Sequence, residues 1–102
     1  MTTAASCPRC AKKTARDEEL KKKLLNRLRR IEGQVRGIEA MIESDAYCND
    51  VLIQSAAANA ALNAFNRELL ACHIRGCVRH DLLEGSDEVV DELVATMQKL
   101  MK

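Results

Sequence analysis

The chain has 102 residues, room for one small domain, and its 16 basic and 15 acidic side chains leave a net charge of only +1. No apolar run approaches the roughly 18 residues of a membrane-spanning helix. Residues 1–15 also lack the apolar stretch of a secretory signal peptide. We therefore expect a cytoplasmic protein with no membrane partner.

The charge is unevenly distributed along the chain. Residues 1–38 hold 11 basic and 4 acidic side chains, whereas residues 39–102 hold 5 basic and 11 acidic ones, so the two parts carry +7 and −6. A basic first part suggests a polyanion partner. Because Tyr47 and Phe65 are the only aromatic residues, modules that stack bases on exposed rings are disfavoured.

The sequence predicts an all-α chain with three helices. Alternating β-branched runs are absent, and Pro8 is the only proline. Residues 1–16 are predicted to form a flexible arm, followed by a single helical domain over residues 17–102. The first helix is expected to begin near Thr14 or Asp17 and to end around Glu43, with apolar residues spaced at three and four along one stripe.

The second helix is predicted to run from about Cys48 to Leu83. At 1.5 Å per residue it would be about 50 Å long, which exceeds the width of a compact globule of this size. We expect it to extend along a partner. Gly85 ends this helix, and Ser86 is predicted to cap the third.

Three residues of the second helix suggest a metal site. His73 and Cys77 are four residues apart and share a helix face, although such a pair is also common as simple packing. Cys48 lies about 37 Å away along a straight helix, so it can join them only from a second, antiparallel copy. The two-fold axis would fall near residues 61–62, beside the alanine-rich segment 56–61, where two helices can approach closely. Two thiolates and one imidazole fit Cu(I).

The remaining cysteines are less informative. Cys7 and Cys10 form a lone CxxC on the arm and are possible accessory thiols, as half of a zinc site, a metal-capture motif or a redox pair. Cys72 points about 100° away from His73 and is more typical of a packed thiol. No combination of acid, base and nucleophile indicates an enzyme.

Basic residues form two bands on the first helix, one on each side of its apolar stripe. The first band consists of Arg16, Lys23, Arg27, Arg30 and Gln34, and the second of Lys22, Arg29 and Arg36. No acidic residue of that helix falls within the first band, so contact with DNA phosphates is favoured over an ordinary solvated face. A helix-turn-helix is not expected, because the helix after the turn has no basic residue until Arg67. The residues predicted to bind DNA are Lys22, Lys23, Arg27, Arg30 and Arg36.

Several segments together resemble the CsoR/RcnR/FrmR family of bacterial repressors. They are residues 24–38 (LLNRLRRIEGQVRGI), Tyr47-Cys48, Val51-Leu52, and His73 with Cys77. The resemblance implies an all-helical chain without a helix-turn-helix, whose antiparallel dimer assembles into a dimer of dimers. It also implies repression of transcription until an inducer binds at the dimer interface.

Within this family the ligand set resembles the copper-sensing branch. That resemblance implies Cu(I) bound by Cys48 of one chain with His73 and Cys77 of its partner, and Tyr47 and Glu92 beside the ligands. The leading hypothesis is therefore a homotetrameric Cu(I)-responsive repressor that binds double-stranded operator DNA in the apo state. The alternatives are a thiol-based sensor of reactive sulfur in the same family, and a copper-buffering or carrier protein without a DNA role.

Overall fold

The computed structural model describes residue 14 and residues 16–101, and these form helices joined by short connections. The helices are α1 (Glu18–Glu43), α2 (Cys48–His73), α3 (Arg79–Leu83) and α4 (Glu88–Leu100), and a π-helical turn (Ile74–Val78) joins α2 to α3. The described part of the chain contains no strand, which confirms the all-α prediction. Cys7 and Cys10, with most of the predicted arm, lie outside the described residues.

The ends of α1 are set by local hydrogen bonds. The Asp17 carboxylate accepts a 2.7 Å bond from the Leu20 amide, and Glu18 and Glu19 follow in the positive first turn. At the other end Asp45 takes a positive φ of 55°, and the Ala46 amide donates to the Met41 carbonyl at 2.9 Å. This left-handed closure ends the helix where the sequence predicted.

The second predicted helix is present over its expected extent, from Cys48 to Leu83, as one unbroken rod. We call α2, the π-helical turn and α3 together the long rod. The π-helical turn was not predicted from the sequence; its wider turn rotates α3 relative to a continuous α-helix. It also contains Val78, one of the few buried side chains.

Gly85 ends the long rod in a second left-handed closure. Its φ is +88°, its amide donates to the Leu82 carbonyl, and the Ser86 amide donates to the Asp81 carbonyl at 2.9 Å. The prediction that Ser86 caps the last helix is wrong, because α4 begins at Glu88 and Ser86 lies one residue before its cap position. Asp87 occupies the cap position of α4 instead, without a side-chain hydrogen bond.

The described chain forms an elongated hairpin with little core of its own. Four residues join α1 to α2, so the two helices pack antiparallel, and α4 packs against the π-helical turn. Among the described residues only Leu24, Val78 and Val89 are buried. The radius of gyration is 17.3 Å, compared with about 13 Å for a compact domain of this length. No described helix is long and apolar enough to cross a membrane.

Replacing Gly85 tests the left-handed closure. A Cβ at this position would meet nothing within 4 Å, so Gly85→Ala causes no steric clash with neighbouring atoms. The substitution is unfavourable only because alanine must adopt the left-handed backbone conformation. We expect a loss of about 1 kcal/mol in the free energy of unfolding, measured by urea denaturation at constant protein concentration. Gly33→Ala is the control, because this helical glycine is also unobstructed and should be stabilised or unchanged. Equal effects at both glycines would contradict this account.

Candidate metal site and basic surface

His73 and Cys77 lie at the end of the long rod that packs against α4. His73 is the last residue of α2, and Cys77 belongs to the π-helical turn that follows. Both side chains are half-buried, and the Cys77 thiol is not in a disulfide. An imidazole and a thiol one turn apart are available as donors for a soft metal ion.

Cys48 lies at the opposite end of α2 from these two residues. It is the first residue of the helix, and it is exposed with a free thiol. The 25 residues to His73 correspond to about 37 Å of helix axis, and α2 has no break between them. One chain therefore does not bring the three predicted ligands together. Among the described residues no group of three His, Cys, Asp or Glu side chains is placed to hold a metal ion.

Tyr47 and Glu92 are also separated within one chain. Tyr47 precedes Cys48 at the start of α2 and is 72% exposed. Glu92 is half-buried on α4, where it lines an open, largely acidic cavity of about 370 Å³ with Asp81 and Ser86. Since α4 packs against the π-helical turn, Glu92 lies at the Cys77 end and Tyr47 at the Cys48 end.

Thr14 contacts the candidate site, and the sequence analysis did not identify it. Its hydroxyl oxygen lies 3.3 Å from the Cys77 sulfur, within hydrogen-bonding distance. The residues are 63 positions apart and meet because the antiparallel hairpin returns Cys77 to the start of α1. No sequence motif marks such a contact.

The basic surface of α1 contains two kinds of cation. Lys22, Arg30 and Arg36 are exposed and make no ion pair with another described residue. Lys23 and Arg27, in contrast, both face Glu68 of α2 at 3.4 Å. Both kinds belong to the set predicted to contact DNA.

An apolar face of α1 is left uncovered in the single chain. Leu25, Leu28, Ile31 and Val35 line an open cavity of about 610 Å³. Other large apolar side chains are exposed as well: Ile42 near the end of α1, and on the remaining helices Leu52, Ile53, Leu62, Val94 and Leu100. A set this extensive is typical of a chain that buries its apolar surface in an assembly.

The match to known families covers most of the helical region. Residues 20–99 match the family described as metal-sensitive transcriptional repressors. The chain belongs to this family. Among its relatives, the copper-sensing transcriptional repressor CsoR of Bacillus subtilis (strain 168) is 42% identical over 83 residues, which cover 80% of this chain and 82% of the relative.

Two solved structures have the same helical arrangement. The copper-sensing repressor CsoR with Cu(I) from Geobacillus thermodenitrificans NG80-2 has a TM-score of 0.83 and 38% identity, covering 88% of this chain and 95% of that one. The nickel-responsive transcriptional regulator InrS has a TM-score of 0.66 and 34% identity, covering 86% of this chain and 97% of that one. The matches confirm the all-α fold and the resemblance on which the family prediction rested.

The Thr14 contact generates a test of the site. A hydroxyl that donates to a metal-bound thiolate stabilises the bound form more than the neutral thiol. We expect Thr14→Val to weaken Cu(I) binding about fivefold, equivalent to roughly 1 kcal/mol, in anaerobic competition with a Cu(I) chelator. Thr14→Ser keeps the hydroxyl and should bind like the unmodified chain. Thr96→Val, the same change at an exposed residue of α4, is the matched control. Wild-type affinity in Thr14→Val would contradict a role for this contact.

Proposed function

We propose that this protein is a Cu(I)-responsive transcriptional repressor that binds operator DNA in the apo state and releases it when Cu(I) binds between two copies. The observation that carries the proposal is the separation of Cys48 from His73 by about 37 Å of unbroken α2. Because soft donors stand at both ends of this helix, an antiparallel pair of chains places Cys48 of one copy beside His73 and Cys77 of the other. The copper-sensing relatives support the same inducer.

The donor set fits Cu(I) better than the other metals considered. Two thiolates and one imidazole are soft ligands, and Cu(I) accepts a coordination number as low as three. Structural Zn(II) usually takes a fourth ligand, and Ni(II) favours planar sites of harder nitrogen and oxygen donors. Cu(I) held by Cys48 of one copy and by His73 and Cys77 of the other would link the start of one α2 to the end of the other. Binding the inducer would therefore constrain how the two copies pack.

The same pairing brings Tyr47 and Glu92 to one place. Tyr47 directly precedes Cys48 and therefore lies at the same end of α2, whereas Glu92 lies on α4 at the end that holds His73 and Cys77. Either side chain can then bond the second ring nitrogen of His73 and hold the imidazole in orientation. These two residues are proposed to support the ligands rather than to bind the metal.

Assembly is part of the proposed function. The exposed apolar side chains of α1 and α2 are buried when two chains pair about a two-fold axis near residues 61–62, where small side chains allow close approach. Two such dimers form the tetramer. In the cytoplasm the apo tetramer presents several copies of α1 to one DNA duplex, through Lys22, Lys23, Arg27, Arg30 and Arg36. Metal and DNA favour different conformations, so each weakens binding of the other by the same factor.

DNA binding with and without copper tests this function directly. We expect the reduced protein to bind a labelled duplex from its own upstream region, as measured by fluorescence anisotropy. One Cu(I) per chain should weaken that binding by about 10- to 100-fold, within the usual range of such coupling. Ni(II) and Zn(II) should have little effect. A Cys7→Ser/Cys10→Ser variant should keep the copper response, because these accessory thiols are outside the proposed ligand set.

Other outcomes of this experiment identify the alternatives. Release by polysulfide but not by Cu(I) would favour a thiol-based sensor that uses Cys48 and Cys77. No binding by the apo protein, together with Cu(I) capture that depends on Cys7 and Cys10, would favour a copper carrier. Catalysis has no part in any of these functions.

Mixed dimers test whether the ligands come from two chains. Cys48→Ala and Cys77→Ala each remove one ligand from every site of their own homodimer. In a mixed dimer, one site loses both ligands and the other keeps all three. Random mixing should therefore restore about a quarter of the wild-type high-affinity Cu(I) sites, because half of the dimers are mixed. If all ligands came from one chain, mixing would restore none.

A further inference from the structure

Glu68 places a negative charge beside the DNA-binding surface proposed for α1. It stands on α2, five residues before His73. Its Oε2 atom lies 3.4 Å from Lys23 Nζ and accepts a 3.4 Å bond from Arg27 Nη2, while its Oε1 atom lies 3.4 Å from Arg27 Nε. One carboxylate is therefore shared by two cations, and the three groups together keep a charge of +1.

The two cations are held by Glu68 to different degrees. The Glu68 side chain is only 20% exposed, and its Oε1 atom and Arg27 Nε are both shielded from water. Lys23 is 63% exposed, so its attraction to the carboxylate is more strongly screened. All three distances exceed the 2.7–2.9 Å or so of a tight charge-assisted hydrogen bond. The contacts are loose enough for a phosphate group to compete.

Adjacent cations of the same helix provide an internal comparison. Lys22 precedes Lys23 directly, is exposed, and makes no ion pair with another described residue. A phosphate can bind Lys22 without displacing a protein carboxylate. To bind Lys23 or Arg27, it must share or replace Glu68.

We propose that Glu68 competes with the DNA backbone for Lys23 and Arg27 and so limits the affinity of the repressor for DNA. This inference rests on the proposed function, because it needs α1 to contact DNA. Removing the carboxylate frees two cations per chain, and every additional phosphate that these cations neutralise releases further counterions from the DNA. DNA binding then becomes both tighter and more dependent on salt.

The test compares Glu68→Gln with wild type in DNA-binding titrations over a range of salt concentrations. We expect at least about a fivefold increase in affinity at low salt, and a salt slope steeper by about 0.9 for each additional phosphate that is neutralised. Glu43→Gln is the matched control, because it makes the same charge change at an exposed residue about 24 Å along α1 from Arg27. That control should keep the wild-type slope. In a Lys23→Gln/Arg27→Gln background, Glu68→Gln should have no effect.

A second comparison uses chains that keep Glu68. Lys22→Gln should reduce the salt slope by about 0.9 for each copy of Lys22 that contacts a phosphate, whereas Lys23→Gln should reduce it by less per copy, because Lys23 is partly neutralised. In the Glu68→Gln background both changes should reduce it equally. The competition would be overturned if Lys22→Gln and Lys23→Gln reduced the salt slope equally in chains that keep Glu68. It would also be overturned if Glu68→Gln left the affinity for DNA unchanged or lower. Neither result would contradict the repressor function. If the wild-type apo protein binds no DNA, the repressor function fails and this inference fails with it.

Discussion

The unbroken course of α2 separates the donor atoms of this chain into two sets about 37 Å apart. Exposed Cys48 stands at one end, and half-buried His73 stands at the other, four residues before Cys77. No rearrangement short of breaking the helix joins them within one copy. Under the proposed function, metal binding therefore requires two chains, and the affinity for the metal depends on how these chains pack against each other.

The weak core of the single chain agrees with this dependence on assembly. A hairpin of two helices has only one internal seam, and with one Tyr and one Phe the chain has few large side chains to fill it. The three buried residues of the described part, Leu24, Val78 and Val89, come from α1, the π-helical turn and α4. Because α1 packs antiparallel to α2 and α4 packs against the π-helical turn, we place all three toward the end of the hairpin that carries His73 and Cys77. Under the proposed function, burial of the remaining apolar surface is left to other copies.

Much of the fold could be predicted because it is encoded locally. Asp17 and Gly85 mark helix ends through their own side-chain and backbone chemistry, and both ends occur where the sequence placed them. The all-α class and the family follow from patterns within single segments. Ser86 was assigned wrongly because the same turn sequence serves either a closure of one helix or a cap of the next. Choosing between them requires the backbone path after Gly85.

Contacts between residues of distant segments could not be predicted from sequence patterns. The meeting of Thr14 with Cys77 depends on where the hairpin returns, and the π-helical turn was not marked by any spacing we recognised. The contact of Glu68 with Lys23 and Arg27 also joins two distant segments. A helical wheel of α1 finds no acid within its first basic band, because the acid that enters this band belongs to α2.

Glu68 also changes how the near-neutral charge of the chain is understood. The split between a basic first part and an acidic second part suggests two opposed surfaces, with acids kept away from the DNA face. The structure instead places one acid of the second part against two bases of the first. Under the proposed function Arg27 has two partners, because its partly shielded guanidinium contacts Glu68 of α2 while the rest of its charge is available to a phosphate. The surface proposed to bind DNA and the helix proposed to bind metal thus share a charged contact, and a movement of α2 against α1 acts on both.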